Sequence, residues 1–467
     1  RHRRGTGEAP DTGPRAARGR VPPMTPASPP LASARPTTSW VHRALKAFLP
    51  GVFVLGMLAN FFYYRADPLM PAIRSDGYGY HLYLTALFVQ HDLSFRTEMA
   101  EWGTDLKSPL GLTLDEHTGR YINKYPPGQA LLMAPAFLLA HVSAPLVGAN
   151  QSGYSRPYHL AAALNGLLAL LIGLALLRRA LEEAGYSPPV VLATLVAVTF
   201  GTNLFHYGSL EASMSHVYSF ALFAGLMLIV PRWYREPTAR RSLLLGFVLG
   251  FIALVRNTNG LMALFVLLYG VFDLPTQRAR LAFLKANVRN IALALLSFSA
   301  VMSILFAYWH YATGKWFVFS YRGEGFHFDR PQVLAVLFSV RKGLFFWAPL
   351  WLFAVAGFVR DRERLKPYLL PLALFFILQT FLVASWWHWP YGSSFGHRAY
   401  TEASALFAFG IAGFLTSLRR PATQRLVGGI FVLLILLQGF LMLRYAQERL
   451  KGDRTTWAQY RSLFTVP

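Results

Sequence analysis

The stretch Ile73-Arg74-Ser75-Asp76-Gly77-Tyr78-Gly79-Tyr80-His81 sets one carboxylate among glycines, tyrosines and a histidine. Asp before Gly is a turn signal, and a carboxylate in such a setting also suits a base that accepts a proton from an attacking hydroxyl. Further along come Lys124, Glu211 between His206 and His216, Arg256, the pair Arg341-Lys342, and Trp386-Trp387-His388-Trp389-Pro390-Tyr391 followed by Arg398. These residue types can move a proton, neutralise a phosphate with guanidinium or ammonium groups, and stack rings on a sugar face. Each has a plainer reading as well. Trp and Tyr anchor helices at membrane interfaces, carboxylates such as Asp92, Asp105 and Glu116 stay solvated in loops, and Arg341-Lys342 can snorkel to water. Arg256, inside an apolar stretch, is the costliest to explain structurally.

The elements that must position these groups follow from composition. Of 467 residues, 54% are hydrophobic and 14% charged, too apolar for a soluble protein of several domains. The chain reads as an all-α polytopic membrane protein. Its net charge of +23 suggests no nucleic-acid partner, because Lys and Arg punctuate apolar segments instead of lining one soluble face. The absence of Cys excludes disulfides, thiolate metal sites and cysteine nucleophiles. No Walker loop, dinucleotide glycine pattern or serine elbow occurs, so an activated substrate has to come from the membrane. No His/Asp/Glu spacing marks a metal site, which leaves a divalent cation held by Asp76 and Glu211 as the one open metal reading.

Residues 1–40, rich in Arg, Pro, Gly and Ser, are expected to be disordered and cytoplasmic, with Met24 as a natural start. A transmembrane domain is expected over 41–444, with a large outer loop at 64–156 and a short outer tail at 445–467. The expected spans are 45–63, a retained helix and not a cleaved signal, then 157–177, 189–207, 213–230, 243–255 paired with 259–272, 291–311, 343–359, 369–387, 400–415 and 426–443, about eleven helices in all. The apolar run 126–141 is short for a crossing. If it crossed, every later basic cluster would face outward; if 127–141 lies flat, the clusters at 178–179, 232–241, 278–289, 360–366 and 419–425 all face the cytoplasm. It is therefore read as a juxtamembrane helix, with 81–90 as another. The half-spans meeting at Arg256-Asn257-Thr258-Asn259 imply a cavity on the outer side.

On this layout the chain resembles the GT-C superfamily of integral-membrane glycosyltransferases, within it the family 39 group of protein O-mannosyltransferases and lipid A aminoarabinose transferases. The likeness rests on Asp76 after the first span, on Lys124-Tyr125-Pro126-Pro127-Gly128 opening a juxtamembrane helix, on Glu211 in Gly208-Ser209-Leu210-Glu211-Ala212-Ser213, and on Ala253-Leu254-Val255-Arg256-Asn257 at the broken pair. It covers residues 45–272, and the rest only by general architecture. Gly77 stands where the family often has a second acid, and Tyr125 is inserted into its Lys-Pro-Pro motif.

The resemblance implies a GT-C fold in a bacterial inner membrane, N-terminus cytoplasmic and active site extracytoplasmic. It implies a sugar donor on a polyprenyl phosphate and a lipid, glycan or protein acceptor. Asp76 is then the base, Glu211, His216 and Tyr80 position the acceptor, and Lys124, Arg256, Arg398 and Arg341 bind the donor phosphate. Trp387, Trp389 and Tyr391 line the sugar site. Two rivals remain open: a polysaccharide ligase or polymerase acting on lipid-linked glycans, and a transporter of lipid-linked sugars, against which stand the uncharged Asn165 and Gln379 in the spans.

Overall fold

A computed structural model describes residues 39–66, 72–102, 111–450 and 452–465. The expected disordered segment, apart from its last two residues, and Asp105 in the outer loop lie outside the described residues. The chain is an all-α, multi-pass membrane protein. Six helices are long and apolar enough to cross a membrane: Ser39–Tyr64, Arg156–Glu183, Ser215–Arg235, Val288–Thr313, Arg362–Ser385 and Pro421–Ala446. Shorter apolar helices, among them Pro188–Phe200, Leu350–Arg360 and Ser404–Ser417, fill the space between them. Ser215–Arg235 is the most enclosed of the long helices, while Val288–Thr313 and Pro421–Ala446 turn residues such as Leu295, Leu296, Leu433 and Leu436 outward. An apolar outer surface of this kind suits lipid and not water.

The two ends of the bundle differ in chemistry. At one end, Glu183 accepts from Arg179, Arg232 and Arg235, Arg364 donates to the carbonyl of Gly185, and Asn290 donates to that of Pro237. Arg280 also stacks 3.5 Å over the Tyr234 ring. Four of the five basic clusters thus share one end, as the flat placement of 127–141 requires. The helix Gly128–Ser143 itself stays at the opposite end. A Cβ on Gly128 would overlap the Leu254–Val255 backbone, and at its far end His141 Nδ1 lies 2.6 Å from Tyr158 Oη, near the start of Arg156–Glu183. Leu139, Val142, Leu146 and Val147 face outward from this segment, an apolar stripe that fits the membrane interface.

Local sequence breaks several apolar stretches that are continuous by hydropathy. The stretch 189–207 divides into Pro188–Phe200 and Leu204–Ser209, with Thr202 bonding back to the Val198 carbonyl at 2.7 Å. The stretch 343–359 divides into Leu344–Trp347 and Leu350–Arg360 around Pro349, which has no N–H for the ladder. The expected helix at 81–90 begins earlier, at Asp76. Within the outer loop a hairpin pairs Leu112–Asp115 with Arg120–Asn123, and Asn123 Nδ2 donates to the Gly79 carbonyl at 2.7 Å. The hairpin thereby delivers Lys124 and Tyr125 to the helix that Asp76 opens.

Candidate active site

Asp76 is the first residue of Asp76–Phe88, where unsatisfied N–H groups and the helix dipole favour an anion. Two glycines let this helix end come close to its neighbours. A Cβ on Gly77 would collide with Ser213, and one on Gly79 with the Tyr125 ring. Ser75 before it holds a φ of +52°, a left-handed conformation costing a non-glycine residue about 1–3 kcal/mol that the packing must sustain. The carboxylate receives Arg398 Nη1 at 2.8 Å on Oδ2 and the Tyr125 hydroxyl at 2.9 Å on Oδ1. Burial alone would raise the Asp76 carboxyl, but Arg398, the Tyr125 hydrogen bond, Lys124 and His216 outweigh it and hold the carboxyl below its usual range. The side chain nevertheless keeps 28% of its surface open.

Arg256 approaches the same field from the break between Ala239–Val255 and the short 3-10 turn Asn257–Met262. Its Nη1 lies 3.5 Å from Ser215 Oγ, which accepts from the Tyr80 hydroxyl at 3.1 Å. Behind it stand His216 and Glu402, whose Oε2 meets His216 Nδ1 at 3.0 Å. Tyr391, at φ +57°, feels the charges of Arg256, Arg398 and Glu402, and Tyr321 those of Arg256 and Asp76. Asp76, Tyr80, His216, Arg256, Tyr391 and Arg398 therefore belong to one cluster.

Other expected site residues make their closest contacts elsewhere. Glu211 is a support: Arg74 Nη2 lies 3.2 Å from Oε1, the Tyr445 hydroxyl 3.3 Å from it, and His206 Nε2 3.5 Å from Oε2. Burial would raise its carboxyl, yet His206 and Arg74 bring it down to about 2. Lys124 makes a 2.6 Å pair with Glu324, which also accepts from Trp387 at 3.3 Å. Trp387 is half exposed at the rim. Arg341 turns away to the Asp453 carbonyl and the face of Trp389. Its neighbour Lys342 is the buried one, donating to Ser394 and to the Gly396 carbonyl, which pins the loop ahead of Arg398. Burial, with Arg398 nearby, lowers the Lys342 amine well below an ordinary lysine. Among the described residues no three His, Asp or Glu side chains converge as a metal site. A divalent cation between Asp76 and Glu211 would compete with Arg398 for one and with Arg74 for the other.

Several solved chains resemble this one, among them two oligosaccharyltransferase structures. One is the archaeal oligosaccharyltransferase AglB from Archaeoglobus fulgidus in complex with an inhibitory peptide and a dolichol-phosphate, at 10% identity and a TM-score of 0.43 over 90% of this chain and 54% of that one. The other is the Archaeoglobus fulgidus oligosaccharyltransferase in the apo form, at 12% identity and a TM-score of 0.46 over 88% and 57%. This chain thus spans little more than half the length of either. No family model and no curated protein matches the sequence.

The sequence reading singles out Arg341-Lys342 and includes Tyr125 in its motif, but does not mark Glu402 or Glu324 as partners of the site. Glu402 carried a legible signal, since an acid inside the apolar stretch 400–415 is costly unless paired. Glu324 carried none, because its role depends on the hairpin and on the loop that folds over it through Ser320 and Arg322.

Proposed function

We propose that the chain is a GT-C-type glycosyltransferase of the bacterial inner membrane, with its N-terminus cytoplasmic and this cluster on the extracytoplasmic face. In this reading it transfers a sugar from a polyprenyl phosphate to a hydroxyl of a lipid, glycan or protein acceptor by inverting single displacement. The observation that carries the reading is Asp76, a partly open carboxylate at a helix N-terminus, in direct contact with Arg398 and linked through Tyr80 and Ser215 to Arg256.

The acceptor oxygen attacks the anomeric carbon as its proton passes to Asp76, and the bond from that carbon to the phosphate oxygen breaks. The departing oxygen keeps the electron pair, and its charge is met by Arg398 and Arg256. Paired with Arg398, Asp76 is a weak base. A phosphate that draws Arg398 toward itself removes the cation holding the carboxyl down, so donor binding strengthens the base it needs. Tyr125 keeps the carboxylate oriented, and the partly open rings of Tyr321 and Tyr391 offer faces for the sugar. Glu211 and Lys124 act at one remove, the first by fixing Arg74 and the segment leading to Asp76, the second by tying the hairpin to Glu324.

The test is turnover in proteoliposomes holding sugar-linked undecaprenyl phosphate, with membrane extract as acceptor source. Release of free undecaprenyl phosphate together with a glycosylated product is expected. Donor that stays intact and only crosses the bilayer would replace this reading with a transporter.

A further inference from the structure

Glu402 is 1% exposed, an anion where an apolar residue would cost less. Its surroundings explain how it is tolerated. Oε2 takes the His216 Nδ1 contact at 3.0 Å, and Oε1 lies 3.6 Å from Arg256 Nε without a hydrogen bond of its own. Arg256 Nη1 lies 3.3 Å from His216 Nδ1 and 3.4 Å from Nε2, so the guanidinium rests against the imidazole whose Nδ1 faces Glu402. Ser215 Oγ receives the same Nη1 at 3.5 Å. Two of the guanidinium nitrogens, Nη1 and Nε, thus face Ser215, His216 and Glu402, and Nη2 carries no hydrogen bond among the described residues.

The two arginine–carboxylate pairs of the site differ in kind. Asp76 is 28% open and can release Arg398, whereas Glu402 has no path to water and cannot release Arg256 without leaving a buried charge unpaired. We infer that Glu402 and His216 are positioning residues that fix Arg256 so that its remaining nitrogen, Nη2, meets the lipid phosphate of the donor. The inference rests on the glycosyltransferase reading above and assigns to the buried pair a share of donor affinity and none of the proton transfer.

The test measures binding of undecaprenyl phosphate to the full chain in lipid nanodiscs, with thermal melting and elution volume as controls for folding. Glu402→Gln is expected to weaken binding about tenfold to a hundredfold, the size seen when the outer partner of a metal-bound histidine is removed, while Glu402→Asp recovers most of it. In an Arg256→Gln background Glu402→Gln is expected to cost no more than about twofold further, because its effect passes through Arg256. Turnover of Glu402→Gln should lose more through KM than through kcat. If Glu402→Gln does not fold, His216→Gln carries the same expectations. Parental affinity in a folded Glu402→Gln protein, or losses that add fully in the double variant, would overturn the inference and leave the glycosyltransferase reading standing. A parent protein that does not bind undecaprenyl phosphate would overturn both.

Discussion

Arg398 Nη1 sits 2.8 Å from Asp76 Oδ2, joining the first turn of the helix Asp76–Phe88 to a loop near the other end of the chain. The pair makes the acidity of Asp76 depend on where Arg398 is. Since the carboxyl is held below its usual range, it stays ionised as pH falls, and the acid limb of kcat/KM should lie below the ordinary aspartate value of about 3.9. In Arg398→Gln burial is left to act without its main opponent, and the limb should move up by about one pH unit or more. A pH profile of kcat/KM for the two proteins checks this. An unchanged limb would mean that Arg398 does not set the protonation of Asp76.

A second prediction concerns the glycine after the carboxylate. The Cβ of Gly77→Ala would collide with Ser213, so the variant should lose about 1–3 kcal/mol of stability by overpacking and most of its transfer activity. Ser213→Gly removes the two nearest colliding atoms, Oγ and Cβ, leaving the Ser213 carbonyl oxygen at 2.9 Å, and adding it to Gly77→Ala should restore part of both. Melting temperature and turnover of the single and double variants decide it. Failure of the second substitution to restore anything would separate Gly77 from this contact.

Much of this cluster is legible in the sequence because charge in an apolar setting is costly wherever it occurs. Arg256 stands out for that reason, and the structure places it beside His216 and Tyr80. Arg341 and Lys342 illustrate the limit. They are adjacent and alike in sequence, yet one faces the Asp453 carbonyl at the rim and the other is buried under the Arg398 loop. Which way each points depends on the tight turn in which the Gly343 N–H donates to the Ser339 carbonyl at 2.7 Å. Span boundaries fail similarly at Gly201-Thr202-Asn203, where a hydropathy window averages over three residues that end a helix.

Glu211 yields a prediction about acid stability. Its carboxyl falls from an ordinary 4.5 to about 2 in the folded chain, so the stability it contributes is fully present above about pH 4.5 and is lost as pH falls toward 2. The parent protein in detergent should lose melting temperature across that window, and Glu211→Gln, less stable at neutral pH, should show a flatter curve there. An identical acid dependence in both proteins would rule out Glu211 as the source.

The central claim is that Asp76 takes the acceptor proton. It is tested most directly by Asp76→Asn, which keeps the shape of the side chain and removes its basicity, assayed with sugar-linked undecaprenyl phosphate supplied in excess. Turnover should fall about 100-fold to 10,000-fold with undecaprenyl phosphate still bound, whereas transfer by Asp76→Asn at the parental rate would contradict the account.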